Sequence, residues 1–184
     1  MADLAGLKVV YFGFTGPIDS GSATRIAAAL NSAVNSGVDE IHLSFSSLGG
    51  YVADGIYLYN HIRGLPLKVT AYNIGSCASI AAAIFVAADE RYCSSHAMFM
   101  IHPTAFQTLE GMSAERLSCS LQAALADDQR TENILRERAR VPDEILVARK
   151  SREVHITPEQ AVGFGLVQGI REFALPKGQQ IFQI

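Results

Sequence analysis

Two side chains, Ser79 and His102, are of the types that together activate a hydroxyl group as a nucleophile. Ser79 follows an apolar, β-branched run (67–72) and a turn of small residues, and it precedes a helix-forming run (80–88). A serine in this position lies at a helix N-terminus, where free backbone N–H groups and the helix dipole stabilise developing negative charge. Serine is also a preferred N-cap residue, and from this stretch alone capping is the commoner role.

His102 ends an apolar run (97–101) that is typical of a strand, and Gly49 and Gly50 follow another such run. In sheets with parallel crossovers, ligand sites collect at the carboxyl ends of the strands. A histidine there could reach the hydroxyl of Ser79, and the glycine pair could bring N–H groups to a substrate carbonyl, as acyl transfer requires. Taken singly, a strand-end histidine and a glycine pair are more often a hydrogen-bonded histidine and a turn.

The elements that must position these residues alternate between strand and helix patterns. Strands are predicted over 7–14, 41–45, 67–72, 91–93 and 97–101, and helices over 19–36, 52–63 and 80–88. This order predicts an α/β fold, with a mostly parallel sheet covered by helices.

The second half of the chain is predominantly helical. Residues 104–111 are polar and irregular, 112–140 form one long helical pattern, and 142–150 form a shorter one. Thr157 and Gln160 have the spacing of a capping box at the start of a further helix, and 165–170 return to a short extended piece. The sequence has no internal repeat or linker, so residues 1–184 are predicted to form a single domain.

The composition argues against several classes of protein. Apolar residues make up 49% of the chain and charged residues 18%, with a net charge of −3 and no basic stripe, so nucleic acid is not expected as a partner. We expect no membrane segment, because no apolar run reaches about 18 residues. The first six residues lack a signal-peptide pattern, and the three scattered cysteines show no metal-ligand spacing. A cytoplasmic protein without a metal or cofactor is therefore expected.

Four short motifs occur in the order of a known family: SSLGG (46–50), GSCASI (75–80), MIHP (100–103) and TPEQAVGFGLV (157–167). The opening segment FGFTGPI (12–18) also resembles that family's first strand and turn. Together they resemble the proteolytic subunit of Clp protease, the ClpP family, from about residue 7 to residue 170.

The resemblance implies a serine endopeptidase of the ClpP/crotonase-type fold. Ser79 matches the nucleophile, His102 the general base, and the N–H groups of Gly50 and Ile80 the oxyanion hole. The third member of the triad falls at Glu153, where most of the family has aspartate. Glutamate carries the same charge on a side chain one methylene longer, and it could orient the imidazole as aspartate does.

The resemblance also implies a substrate and an assembly. An unfolded protein or peptide would lie extended beside Gly49, Gly50, Pro103 and Thr104, by β-augmentation. The family divides the chain into a head, about 7–102 and 151–175, and a handle, about 103–150. Handles join heptameric rings face to face, so a homo-oligomer of one ring or a double ring (tetradecamer) is expected. An AAA+ ATPase partner is typical of the family, and the family's axial loops contact it. The segment before Leu7 is too short to form most of these loops.

Other interpretations stay open. The chain could be a catalytically inactive ring subunit, because of Glu153 and the short N-terminus, or a crotonase-type acyl-CoA enzyme. A Ser–Lys peptidase with Lys150 as the base is a further alternative. Cys77 is interpreted as a small buried residue rather than as a rival nucleophile, because no nearby cation is visible that would lower its pKa.

Overall fold

The computed structural model describes residues 6–184. The expectation that the first six residues lack a signal-peptide pattern therefore falls almost entirely on residues outside the described range. The strands are β1 (Val9–Thr15), β2 (Glu40–Ser47), β3 (Lys68–Ala78), β4 (Glu90–Cys93), β5 (Met98–Ile101), β6 (Val154–Ile156), β7 (Gly169–Ile170) and β8 (Ile181–Gln183). The helices are α1 (Ser20–Asn35), α2 (Val52–Arg63), α3 (Ile80–Phe85), α4 (Ala114–Arg138), α5 (Asp143–Ala148) and α6 (Pro158–Gly163).

The strands form one sheet in the order β6-β5-β3-β2-β1-β8, and β4 pairs with both β3 and β7. Every pairing between named strands is parallel except that of β5 with β6. The predicted α/β fold with a mostly parallel, helix-covered sheet is confirmed.

Strand β3 is the central element, because it changes its partner along its length. Its first half, from Thr70 to Asn73, pairs with β4, and its second half pairs with β5. The fully buried Asn73 stabilises the change: its side-chain amide donates to the Met98 carbonyl at 3.0 Å and accepts the Gly75 N–H at 3.1 Å. The sequence pattern ended this strand at residue 72, whereas the second partner extends it to Ala78 and so to the edge of the site.

Apolar faces of α1, α2 and α3 cover the sheet, and burial of each large aliphatic side chain contributes about 1.5–3 kcal/mol. On α1 the apolar residues Ala23, Ile26, Ala27, Leu30 and Ala33 recur with the helical period and are all buried. Capping boxes begin two helices, at Asp19 with Ser22 on α1 and, as predicted, at Thr157 with Gln160 on α6.

Helix α4 is the long helix predicted over 112–140, and only its C-terminal half is well packed. Ile134 and Leu135 join the core, whereas Leu117, Leu121 and Leu125 are 44%, 49% and 58% exposed. Strands β6 and β8 were not predicted, since each has only three residues. No helix within residues 6–184 has the length and apolar character that crossing a membrane requires.

Candidate active site

Ser79 lies between the end of β3 and the start of α3 in a rare backbone conformation. Its φ is 59° and its ψ is −131°, and it is the one non-glycine residue in 6–184 with a positive φ. Such a conformation costs about 1–3 kcal/mol and persists only when surrounding contacts hold it. The side chain makes no capping hydrogen bond, so the capping role that is commoner for such a stretch does not apply.

His102 directly follows β5, and its imidazole reaches the serine. The Nε2 atom lies 2.8 Å from the Ser79 Oγ. This is hydrogen-bond distance, and the hydroxyl can donate to an unprotonated Nε2. The pairing of β5 with the second half of β3 brings the two residues together, although 23 positions separate them in the sequence. The arrangement is that of a nucleophile with its general base.

The glycine pair lies close to the same serine. A Cβ at Gly49 would come within 2.8 Å of the Ala78 carbonyl oxygen, and a Cβ at Gly50, where φ is 157°, would collide with the Ile18 carbonyl. Glycine at both positions therefore allows this close approach. The Gly50 N–H donates to no acceptor among the loop and turn hydrogen bonds of residues 6–184.

Ile80 supplies the second amide predicted for an oxyanion hole. It is the first residue of α3, so its N–H has no intrahelical acceptor. Its side chain is buried, and Ile80 and Gly50 both line the cavity beside Ser79. Two amides on one cavity wall are what stabilisation of a tetrahedral oxyanion requires.

Glu153 lies near His102 in the sheet, but its carboxylate contacts His155 instead. The antiparallel pairing of β5 with β6 places Ile101 opposite Val154, so the next step of the ladder places His102 opposite Glu153. The carboxylate, 62% exposed, lies 3.6 Å from the Nε2 of His155. No hydrogen bond joins Glu153 to His102 within residues 6–184, and membership of a triad remains a prediction.

The other candidate groups have partners or environments of their own. The Lys150 ammonium pairs with Glu132 at 3.1 Å, and residues 6–184 show no hydrogen bond from it to Ser79. Cys77 is fully buried, and burial raises the pKa of its thiol well above the usual value, which makes it a poor nucleophile. Within the described chain no group of three or more His, Cys, Asp or Glu residues could hold a metal ion.

The first two residues after His102 offer no free N–H group to an extended peptide. Pro103 has no N–H, and the Thr104 N–H donates to the Asp128 carboxylate at 2.7 Å. A peptide pairing with Pro103 and Thr104 would therefore use their carbonyl groups. The predicted role of Pro103 and Thr104 in substrate binding stays a prediction.

A cavity of about 140 Å³ adjoins Ser79 and His102. Its walls are mainly apolar, formed by α3, Ile101 and Leu135, but Thr131 and Arg149 also line it. Sequence reasoning missed these two residues because they lie on α4 and at the end of α5, and only the packing of the chain brings them to the site.

The sequence pattern of Clp protease matches residues 7–173. This chain belongs to the Clp protease family. The expected resemblance is therefore confirmed over nearly the whole described chain.

Relatives of this chain include three proteins named as ATP-dependent Clp protease proteolytic subunits. The ATP-dependent Clp protease proteolytic subunit 2 of Pseudomonas aeruginosa is 29% identical over 92% of this chain and 87% of its own length. The proteolytic subunit 2 of Chlamydia muridarum is 31% identical over 71% of this chain, and the match spans 64% of the Chlamydia protein. Subunit 3 of Rhizobium etli is 26% identical over 84% of this chain and 80% of its own length.

Proposed function

We propose that this chain is a serine endopeptidase that hydrolyses peptide bonds of unfolded proteins or peptides through an acyl-enzyme. The observation that carries the proposal is the 2.8 Å contact between the Ser79 hydroxyl and the His102 Nε2. The strained backbone of Ser79 supports it, since strain of this kind clusters at functional sites.

The reaction follows from the positions of the groups. The Ser79 Oγ attacks the carbonyl carbon while His102 takes the hydroxyl proton, and the Gly50 and Ile80 N–H groups stabilise the oxyanion. The C–N bond then breaks, and His102 returns the proton to the leaving amine. Water, deprotonated by His102, then attacks the acyl carbon. The ester bond to the Ser79 Oγ breaks, His102 returns the proton to this oxygen, and the acid leaves.

Labelling with a fluorophosphonate probe tests this directly. Purified wild type should be labelled, and Ser79→Ala and His102→Ala should both lose labelling, because the first removes the nucleophile and the second its base. Ser76→Ala and His96→Ala change the same residue types nearby and should retain it. A well-folded wild type that is not labelled would overturn the proposal.

The position of Glu153 favours one alternative, a catalytically inactive ring subunit. Its carboxylate contacts His155 and leaves the Nδ1 side of His102 without that partner. An inactive subunit would assemble normally and fail to react with the probe, so the same labelling experiment, with light scattering to measure oligomer size, separates the two.

The proposal extends to assembly. Leu117, Leu121 and Leu125 follow one another at four-residue intervals along α4, so they form an exposed apolar stripe on one side of the helix. We place α4 within a handle (103–150) that joins heptameric rings face to face, with the rest of the domain as the head. Light scattering of a Leu121→Glu and Leu125→Glu double variant should show a particle half the size of the wild type.

The names of the relatives are the basis for proposing a partner protein. Both subunit 2 relatives are called ATP-dependent, and on that ground an AAA+ ATPase is proposed as a partner of this chain. Three free cysteines support a reducing compartment such as the cytoplasm. Pulldown of a particle-forming wild type against such ATPases tests the partnership.

A further inference from the structure

A buried cation lines the cavity beside the catalytic pair. Arg149 is 2% exposed, and it shares the cavity of about 140 Å³ with Ser79 and His102. The remaining walls are mainly apolar side chains, such as Ile101 and Leu135. A guanidinium in such surroundings must satisfy its donors, because an unpaired buried charge is costly.

The hydrogen bonds of Arg149 are incomplete. Its Nη2 donates to the Asp128 carbonyl at 2.9 Å and to the Thr131 Oγ1 at 3.2 Å. Its Nε is buried and has no hydrogen-bond partner. A buried donor without a partner is rare in native structures. Because Arg149 also lines the cavity beside Ser79, its incompletely paired guanidinium points to an acceptor that a ligand supplies.

The nearest carboxylates only partly neutralise this cation. Asp128 lies 3.7 Å from the Arg149 Nη2, and the same carboxylate oxygen accepts the Thr104 N–H. Glu132 is engaged by Arg136 and Lys150. Burial lowers the pKa of Arg149, but arginine remains charged at neutral pH.

We propose that Arg149 makes this cavity the pocket for the residue that precedes the scissile bond, and that it selects glutamate or aspartate there. The inference rests on the proposed peptidase function. The apolar walls contact the methylene groups of the substrate side chain, and its carboxylate accepts from the Arg149 guanidinium. A charge-assisted hydrogen bond of this kind is shorter and stronger than a neutral one.

A panel of fluorogenic peptides that differ only at this position tests the preference. On wild type, kcat/KM for the glutamate peptide should exceed that for the leucine peptide about tenfold or more, with glutamine between them and lysine lowest. Arg149→Met keeps the length and removes the charge, so it should prefer leucine. Arg149→Lys should retain part of the preference for glutamate, and the exposed neighbour variant Arg152→Met should behave as wild type.

A second readout separates this inference from the proposed function. Fluorescein-labelled pentapeptides ending in glutamate or leucine are titrated against Ser79→Ala, which needs no turnover, while the fluorophosphonate probe reports on the serine of wild type. Tighter binding of the glutamate peptide by about tenfold supports the pocket even if the probe does not react. Equal or tighter binding of the leucine peptide overturns it, even with full labelling. If Arg149→Met does not fold, the wild-type panel and this titration decide alone.

Discussion

The backbone N–H of Ser79 donates a 2.8 Å hydrogen bond to the carbonyl oxygen of Met100, two residues before His102. This bond continues the pairing of β3 with β5 beyond the last paired residue of β3. The separation of the hydroxyl and the imidazole is therefore determined mainly by the backbones of two paired strands. Sites built on strands hold their side chains more precisely than sites built on loops.

Gly50→Ala should abolish most of the reactivity of Ser79. A Cβ at this position collides with the Ile18 carbonyl, so the loop must move and carry the Gly50 N–H away from the serine. Loss of one oxyanion donor lowers kcat by a factor on the order of 10²–10³. The rate of fluorophosphonate labelling measures the effect. Gly64→Ala, at an exposed glycine whose added Cβ would make only ordinary van der Waals contacts, should label as wild type.

Ser79→Gly should be more stable than Ser79→Ala by about 1 kcal/mol, although both lack the hydroxyl. The backbone at this position has φ 59° and ψ −131°, which glycine adopts without strain and alanine does not. At an ordinary helical position the order is reversed, and Ala126→Gly on the exposed face of α4 should lose about 1 kcal/mol. Urea unfolding at one protein concentration gives all three values, and a more stable Ser79→Ala would contradict the interpretation of strain.

Much of the fold follows from local patterns in the sequence. Helix α2 was predicted over the residues it occupies, 52–63, and the capping box at Thr157 was found, because each depends on neighbours within a few residues. Ser79 was found because it lies between a predicted strand and a predicted helix, and His102 was found because it ends a predicted strand. Their positions after predicted elements made a contact possible, and the family resemblance made it expected, but whether the two touch depends on which strands pair.

What the sequence did not reveal depends on long-range contacts. The extension of β3 to Ala78 follows from its second partner, and β6 and β8 are too short for a periodic pattern. Arg149 looks like an ordinary residue at a helix end, and its burial against Asp128 and Thr131 becomes visible only when α4 and α5 have packed. The direction in which the Glu153 side chain points is likewise not encoded in its neighbours.

Glu153→Gln should slow labelling of Ser79 by a factor on the order of 10² or more if its carboxylate turns to His102 in the working enzyme, since removal of the charge on the orienting acid costs up to about 10⁴ in related triads. Glu153→Asp should retain most of the rate. His155→Ala is the matched control, because it removes the present partner of the carboxylate and leaves His102 intact. A Glu153→Gln variant that labels as fast as wild type would show that the site works as a serine–histidine pair.

Arg91 joins three helix ends through a single buried guanidinium. Its five N–H groups donate to backbone carbonyls after α3, at the end of α4 and after α6, namely those of Val86, Ala88, Arg138, Gly165 and Leu166. Burial lowers the pKa of Arg91 to about 10, which keeps it charged at neutral pH. The end of the long helix α4 is thereby attached to the helix that follows Ser79.

Arg91→Met should therefore destabilise the protein by about 3 kcal/mol or more. The Arg138, Gly165 and Leu166 carbonyls lose their side-chain donor at a cost of about 1–3 kcal/mol each, whereas the Val86 and Ala88 carbonyls keep the guanidinium of Arg138. Arg91→Lys should recover only part of this loss, because lysine has three donors instead of five. Arg63→Gln serves as the control: Arg63 bonds the Ala87 carbonyl and Asp89 from a more exposed position, and its loss should cost less than about 1 kcal/mol. Urea midpoints at one protein concentration compare the three, and equal midpoints for Arg91→Met and Arg63→Gln would show that water replaces the guanidinium at these helix ends.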